Sequence, residues 1–355
     1  MMTYDIIHIG TSGWGEVWCK EFLPSAIDAD LFNVVAAVDL SEEALKNAKN
    51  ELGMPEDRCY TDIEEAFSEH EVDFCTNAVP PAARESIVDA AIDYNLDIFS
   101  EKPIAETLET SVRIAKKVEE ADVKMGITMS HRFDRDKTTL RKYLRSNKPG
   151  PLDYLVCRFT ANTRSSGSRY PALVEGGVHQ LDILADLAES RCERLYAQTW
   201  HPEWGTGTED GQALVNMTFE NGVRATYEGT KTNAAGLNGW GHDYIRAECR
   251  DETVVLDRRE IERFEYDSDD EGNWPGVKPG TGSEIPLLNS RNTWSHLWLI
   301  EQFIEWIEGG EPMVTNVQDN LQSMALVEAA LLSSQTGDPV AVQKLLEDTE
   351  QSLTT

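Results

Sequence analysis

Unbroken apolar runs and helix-spaced apolar positions alternate through the first third of the chain. Residues 6–9 (IIHI) form a short run without polar alternation, as a strand covered on both faces requires. Residues 33–38 (NVVAAV), 72–79 (VDFCTNAV), 96–100 (LDIFS) and 124–129 (KMGITM) repeat the pattern. Between them the spacing predicts helices over residues 14–23, which Pro24 closes, and over 41–52, 61–68, 82–94 and 108–120. Ser41 caps the second of these with acids in its first turn, and Thr61 and Asp62 start the third. Such alternation implies a doubly wound parallel sheet of roughly five or six strands, ending near Thr128.

From Pro149 the texture changes. Longer strands, YLVCRFT, ALVNMTF and VRATYEGT, are joined by turns such as Glu220-Asn221-Gly222, which implies a largely antiparallel sheet in an α+β domain. The expected division is 1–128 and 129–355. Residues 265–284 are an acidic Gly/Pro-rich loop without an assigned role. Two helices follow: residues 294–308, apolar on more than one face and so expected to be sandwiched, and residues 319–334, expected to be amphipathic. A helix at about 316–336 is a candidate to pack back on the first domain.

Composition narrows the class. No apolar run approaches the roughly 18 to 20 residues of a membrane span, and the N-terminal residues lack an export signal, so a soluble cytoplasmic protein is expected. The six cysteines are scattered, with no Cys/His spacing of a zinc site; they read as reduced core residues, and no metal is expected. Lys+Arg number 32 against 63 Asp+Glu, a formal charge of -31, which repels nucleic acid and anionic membranes. The excess reads as adaptation to a salt-rich, halophilic cytoplasm, where short Debye lengths quench self-repulsion. Folding and activity are therefore expected to need on the order of molar salt. Full activity in dilute buffer with no loss of melting temperature would overturn this.

The stretch GTSGWG at 10–15 follows the first strand and opens the first helix. In a dinucleotide-binding unit the first glycine makes the tight turn, the second admits the pyrophosphate and the third lets helix and strand pack closely. Gly10 and Gly15 take the first and third places, and Ser12 takes the second beside Gly13. Asp39, at the end of the second strand, lies 24 residues after Gly15, close to the expected spacing of about 20. Its carboxylate suits the ribose hydroxyls and repels a 2′-phosphate, which favours NAD over NADP. Lys102, in FSEKPIAET, stands at the end of a parallel strand, where such folds bind ligands. In VEGGVHQLDILADLAE a helix starting at Gly176 or Gly177 aligns Glu175, His179, Asp182 and Asp186 as a polar stripe.

With VDLSEEAL at 38–45, VPPAARESI at 79–87, SEKPIAET at 100–107, MSHRFDRD at 129–136 and EGGVHQLD at 175–182, the chain resembles the Gfo/Idh/MocA oxidoreductases, related to glucose-fructose oxidoreductase and inositol dehydrogenase. The resemblance implies a Rossmann domain, a C-terminal domain with a large open sheet, an active site between them, and a homodimer or homotetramer formed through that sheet. It implies that Lys102 is the EKP lysine and His179 the general acid/base, with Glu175 where many members carry Asp. Arg84 stands where a histidine often follows the Pro pair. Candidate cofactor contacts are Gly10, Ser12, Gly13, Trp14 and Gly15 in the turn, Asp39 and Leu40, Ala78 and Pro80, and Glu101 with Lys102. Candidate substrate contacts are His131, Arg132, Arg169, Tyr170, Asp182 and Trp240. The expected reaction is hydride transfer between a sugar, inositol or related polyol and NAD. The alternatives are NAD-dependent glycoside cleavage, known among relatives, and a cofactor-binding sensor without chemistry.

Overall fold

The computed structural model describes residues 4–162, 171–205, 210–266 and 281–353. The chain divides into two compact units, Met1–Ser130 with Thr293–Met324 and Thr349–Thr355, and His131–Asn292 with Ala325–Asp348.

The first unit is built on six strands: Tyr4–Ile9 (β1), Phe32–Val38 (β2), Cys59–Tyr60 (β3), Phe74–Asn77 (β4), Asp97–Ser100 (β5) and Met125–Ile127 (β6). They pair in parallel in the order β3-β2-β1-β4-β5-β6. The order reverses between β1 and β4, so the chain leaves their C-terminal ends in opposite directions and opens the crevice where such sheets bind ligands. Burial explains the runs: Ile6, Ile7 and Ile9 are at most 2% exposed, as expected of a strand covered on both faces.

Pro24 does not close the first helix. Residues Trp18–Phe22 form a π turn between the α-helical pieces Trp14–Val17 and Leu23–Asp28, and helix runs on to Asp28. The Leu23 N–H reaches back to the Trp18 carbonyl, so Pro24 stands in the first turn of the following piece, where its missing N–H costs little.

The segment Thr293–Met324, on the far side of the expected division at residue 128, belongs to the first unit. Phe303, on the helix Ser295–Ile307, packs its ring 5.2 Å from both Phe74 and Phe99, and Thr315 Oγ1 donates to the Ile127 carbonyl at 2.8 Å. On that helix Leu299, Ile300, Phe303 and Ile304 are deeply buried, only Glu305 is exposed and the remaining positions are half-buried, as expected of a helix covered on more than one face. The helix Val317–Thr336 reverses its expectation. It is buried at nearly every position from Asn320 to Ala330, apolar and polar alike, rather than along one stripe.

The second unit carries a nine-stranded sheet of Leu152–Thr160 (β7), Cys192–Trp200 (β8), Gln212–Phe219 (β9), Arg224–Thr230 (β10), Tyr244–Cys249 (β11), Glu252–Asp257 (β12), Glu260–Glu265 (β13), Ser283–Glu284 (β14) and Val340–Ala341 (β15). The order is β14-β13-β12-β11-β7-β10-β9-β8-β15, with β7 and β10 parallel and the other pairings antiparallel. β9 and β10 form a hairpin through Asn221 and Gly222, whose φ of 90° needs glycine. The helix Val178–Ala188 lies on β7 and β10, flanked by the helix Arg135–Leu144. Among the described residues no helix is long and apolar enough to cross a membrane.

Candidate active site

In the first unit the turn after β1 is shaped by two steric limits. Gly10 has φ 89°, and a Cβ there would sit 2.8 Å from the Val79 nitrogen. A Cβ on Gly15 would overlap the Gly10 carbonyl, so strand and helix approach as closely as glycine permits. Gly13 has φ 58° with open space around it, and Ser12, Gly13 and Trp14 are exposed where the helix starts. A narrow turn with an exposed helix start fits the pyrophosphate of a dinucleotide.

Asp39 is tied to this turn. Its Oδ2 accepts from the Thr11 and Ser12 N–H groups at 2.7 and 2.9 Å, and its Oδ1 accepts from the Ser41 N–H at 2.9 Å. One carboxylate thus sets the shape of the loop, and the serine in the second glycine position contributes through its backbone N–H. Leu40 is 91% exposed beside it. Ala78 is buried and donates its N–H to the Ile9 carbonyl at 2.8 Å, whereas Pro80 is exposed at the end of β4.

Glu101 is 2% exposed and anchors the glycine turn from the other side. Its Oε1 accepts from the indole N–H groups of Trp14 and Trp18, both at 2.9 Å, and lies 3.6 Å from His296 Nε2. Phe22 stacks on His296 with ring centroids 3.8 Å apart. Burial pushes the Glu101 carboxyl up, but His296, Lys102 and Trp14 outweigh it and hold it at about 2. Trp18 and His296 were not among the sequence candidates, because their relation to Glu101 appears only once the strands are assembled.

Burial lowers the Lys102 ammonium below the ordinary lysine range; Glu101 opposes that shift and Arg84 adds to it. Arg84, 3% exposed, donates Nε to the Val79 carbonyl at 3.1 Å and Nη2 to the Lys102 carbonyl at 3.0 Å. Arg84 is therefore a clamp joining the loops after β4 and β5.

In the second unit a π turn, Leu173–Gly177, precedes the helix Val178–Ala188, so the helical run begins before Gly176. A π turn takes more residues per revolution, and residues four apart across it no longer stack. Glu175 is correspondingly ion-paired with Lys231, at the end of β10. Lys231 also stands at a strand end, but in a segment that reads as antiparallel sheet, so the criterion that singled out Lys102 passes over it.

His179 is 3% exposed and faces two other rings. The His131 ring centroid is 4.5 Å away, and Trp240 lies 6.1 Å from His179 and 5.4 Å from His131. Trp240 packs on Phe159 at 4.7 Å and is 45% exposed, so one side of the cluster opens to solvent. Arg132 donates to Asp182 at 3.3 Å and lies 3.3 Å from Asp186, which also pairs with Arg141 and Arg145. Asp182 is thus engaged by an arginine. The structure gathers His131, Arg132, His179, Asp182 and Trp240; Arg169 and Tyr170 lie outside the described residues.

Beneath the ring cluster lies a buried charge network. Lys137 Nζ is 2.8 Å from Asp243, 3.4 Å from Asp136 and 3.2 Å from Asp134, and Gln180 donates to Asp243 at 2.9 Å. Burial would lower the Lys137 pKa, but the three carboxylates raise it above the ordinary lysine value.

Residues 7–129 match the GFO/IDH/MocA profile, described as an oxidoreductase family with an NAD-binding Rossmann fold, and residues 161–342 match that family's C-terminal alpha/beta domain. The chain belongs to the GFO/IDH/MocA oxidoreductase family. This GFO/IDH/MocA protein is 43% identical over 359 residues to the uncharacterized protein y4oX of Sinorhizobium fredii, covering 98% of each chain. It is 27% identical to the D-apiose dehydrogenase of Paraburkholderia graminis, over 90% of this chain and 85% of that one. An oxidoreductase from Agrobacterium radiobacter, crystallised with NAD+, L-tartaric acid and magnesium, superposes with a TM-score of 0.80 at 19% identity, over 97% of this chain and 100% of the other. The fold expected from the sequence is the one observed, and the protein is an oxidoreductase with an NAD-binding Rossmann domain.

Proposed function

We propose that the protein is an NAD-dependent dehydrogenase of a sugar, inositol or related polyol, acting at a secondary alcohol or hemiacetal carbon. The observation that carries the reading is the buried His179 imidazole, walled by His131 and the half-exposed Trp240. Bound NAD supplies the hydride acceptor, and the turn from Gly10 to Gly15 with Asp39, Leu40, Ala78, Pro80 and Glu101 holds it. His179 removes the hydroxyl proton. Lys102, as a cation, stabilises the developing alkoxide. The Trp240 face and the Arg132–Asp182 pair suit a polyol, with apolar stacking on one side and forked polar groups on the other. The reading takes Arg169 and Tyr170 as further substrate candidates, and gives Glu175 the role its ion pair with Lys231 supports, holding that ammonium at the end of β10. Dehydrogenation of apiose by a relative over most of both chains supports a sugar substrate.

Free thiols at all six cysteines support a cytoplasmic location. Assembly as a homodimer or homotetramer would use the open face of the nine-stranded sheet, where Leu214 is exposed.

Sugars, inositols and sugar acids are to be screened with NAD and NADP at high salt, following the absorbance of the reduced cofactor. Net reduction of NAD by at least one polyol, faster than of NADP, is the expected result. Glycoside cleavage without net NADH, or no reduction with any polyol, would overturn the reading.

A further inference from the structure

Two carboxylates from other strands pin the glycine turn from opposite sides. Asp39, just past the end of β2, takes the Thr11 and Ser12 N–H groups. Glu101, just past the end of β5, takes the Trp14 indole N–H at 2.9 Å. Between these anchors stands Gly13, with φ 58° and open space where a Cβ would be, so it is the loosest point of the turn. The backbone bonds there are the Gly15 N–H to the Ser12 carbonyl at 3.0 Å and the Glu16 N–H to the Gly13 carbonyl at 3.3 Å. An indole has one hydrogen to donate, and in Trp14 Glu101 takes it.

Glu101 itself has little left to offer a ligand. It is 2% exposed, its Oε1 also takes the Trp18 indole N–H at 2.9 Å, and its Oε2 takes the Lys102 backbone N–H at 3.1 Å. The His296 ring, stacked on Phe22, stands 3.6 Å from Oε1. Both oxygens are thus spent on donors of the first unit, and a cofactor hydroxyl or amide would have to displace one of them. A carboxylate left open beside a pyrophosphate would repel it, whereas one satisfied in this way can stand behind the turn. Trp14 is the opposite case: 50% exposed, with its N–H end fixed and its ring open to solvent.

We propose that Glu101 is a positioning residue of the NAD site, touching no cofactor atom itself and acting through Trp14, whose indole it fixes as one wall of the glycine turn. The same carboxylate holds the backbone of Lys102, so the turn after β1 and the lysine after β5 share one anchor. The inference rests on NAD binding by the first unit and is independent of which alcohol is the substrate.

The test measures NADH binding to the full-length protein by calorimetry at high salt, without substrate. Trp14→Phe keeps a ring and removes the N–H, and is expected to raise Kd about 10-fold, the effect of losing one hydrogen bond to a charged group. Glu101→Met, similar in length but without an oxygen, should raise Kd at least as much. Glu101→Gln should recover part of that loss, because its amide oxygen still accepts from an indole. Adding Trp14→Phe to Glu101→Met should then cost nothing further. In the free protein, acrylamide quenching of tryptophan emission should rise in Glu101→Met, and that rise should vanish when Trp14 is already Phe. Wild-type affinity in Trp14→Phe, tighter binding in Glu101→Met, or the full loss from each change in the double variant would overturn the inference, the last by making Glu101 a cofactor ligand in its own right. Failure of every polyol to reduce NAD would overturn the proposed substrate and leave these measurements standing.

Discussion

Replacing Lys102 or His179 with alanine is expected to reduce turnover by about 10²- to 10⁴-fold while NAD still binds. The two losses have different origins. On the proposed reading His179→Ala removes the acceptor of the hydroxyl proton, so the alcohol must lose that proton to water in the same step that expels a hydride. Lys102→Ala removes a cation from a partly buried position, where a charge stabilises a developing alkoxide more than it would in bulk water. Neither side chain shapes the glycine turn, which is fixed by Gly10, Gly15 and the Asp39 hydrogen bonds to Thr11 and Ser12. Titration with NADH, read by its fluorescence, should therefore give similar affinities for wild type and both variants. Unchanged turnover in both would sink the site. Loss of NADH binding along with turnover in Lys102→Ala would instead favour the cofactor contact that the resemblance also assigns to it.

The second large effect concerns stability. Lys137→Met is expected to destabilise the protein by about 3–5 kcal/mol, the usual consequence of removing one partner from a buried ion pair. Lys137 is 2% exposed, and its loss leaves Asp243 at 1% and Asp136 at 4% exposure without their ammonium. Methionine fills the space of the aliphatic stem, so the effect is electrostatic more than steric. Equilibrium unfolding by denaturant at constant high salt should show it, and Lys137→Met with Asp243→Asn should recover part of the loss. The pH window follows from the shifts. The Lys137 pKa is raised on folding, so its contribution is complete below the unfolded value of about 10.4 and is lost as pH rises through the folded value. The Asp243 pKa is lowered, so its contribution is complete above about 3.9 and is lost as pH falls through the folded value. The wild-type contribution of this pair should therefore be flat across neutral pH. An equally stable Lys137→Met would show that the network contributes nothing net.

Parallel strands were legible because each is a short unbroken apolar run bounded by turn residues, and because Gly10 and Asp39 fall at strand ends. The helix that should have stopped at Pro24 shows where local rules fail. A π turn is not written in residue preferences, and it moves the proline to a place where it does no harm. Glu175 and His179 stand four apart in sequence, which suggests a carboxylate orienting a ring. The π turn beneath them and a lysine on another strand direct Glu175 to Lys231. Asp182 was readable as a polar group on a buried helix, but its partner Arg132 lies on a separate segment that no helical periodicity connects to it. Local pattern reveals elements and strand ends. Which charges meet is decided by tertiary packing, and it is the charges that set the chemistry.

The return of Thr293–Met324 to the first unit bears on how the molecule is made. A chain emerging from the ribosome completes all six parallel strands by Ile127, yet Phe303, which packs on Phe74 and Phe99, is synthesised only after the nine-stranded sheet's own strands through β14. The cofactor-binding half begins first and finishes late, with an apolar patch that waits for its cover. The first unit therefore cannot reach its finished packing before Phe303 is synthesised, and a chain cut after residue 128 would carry that patch into solvent.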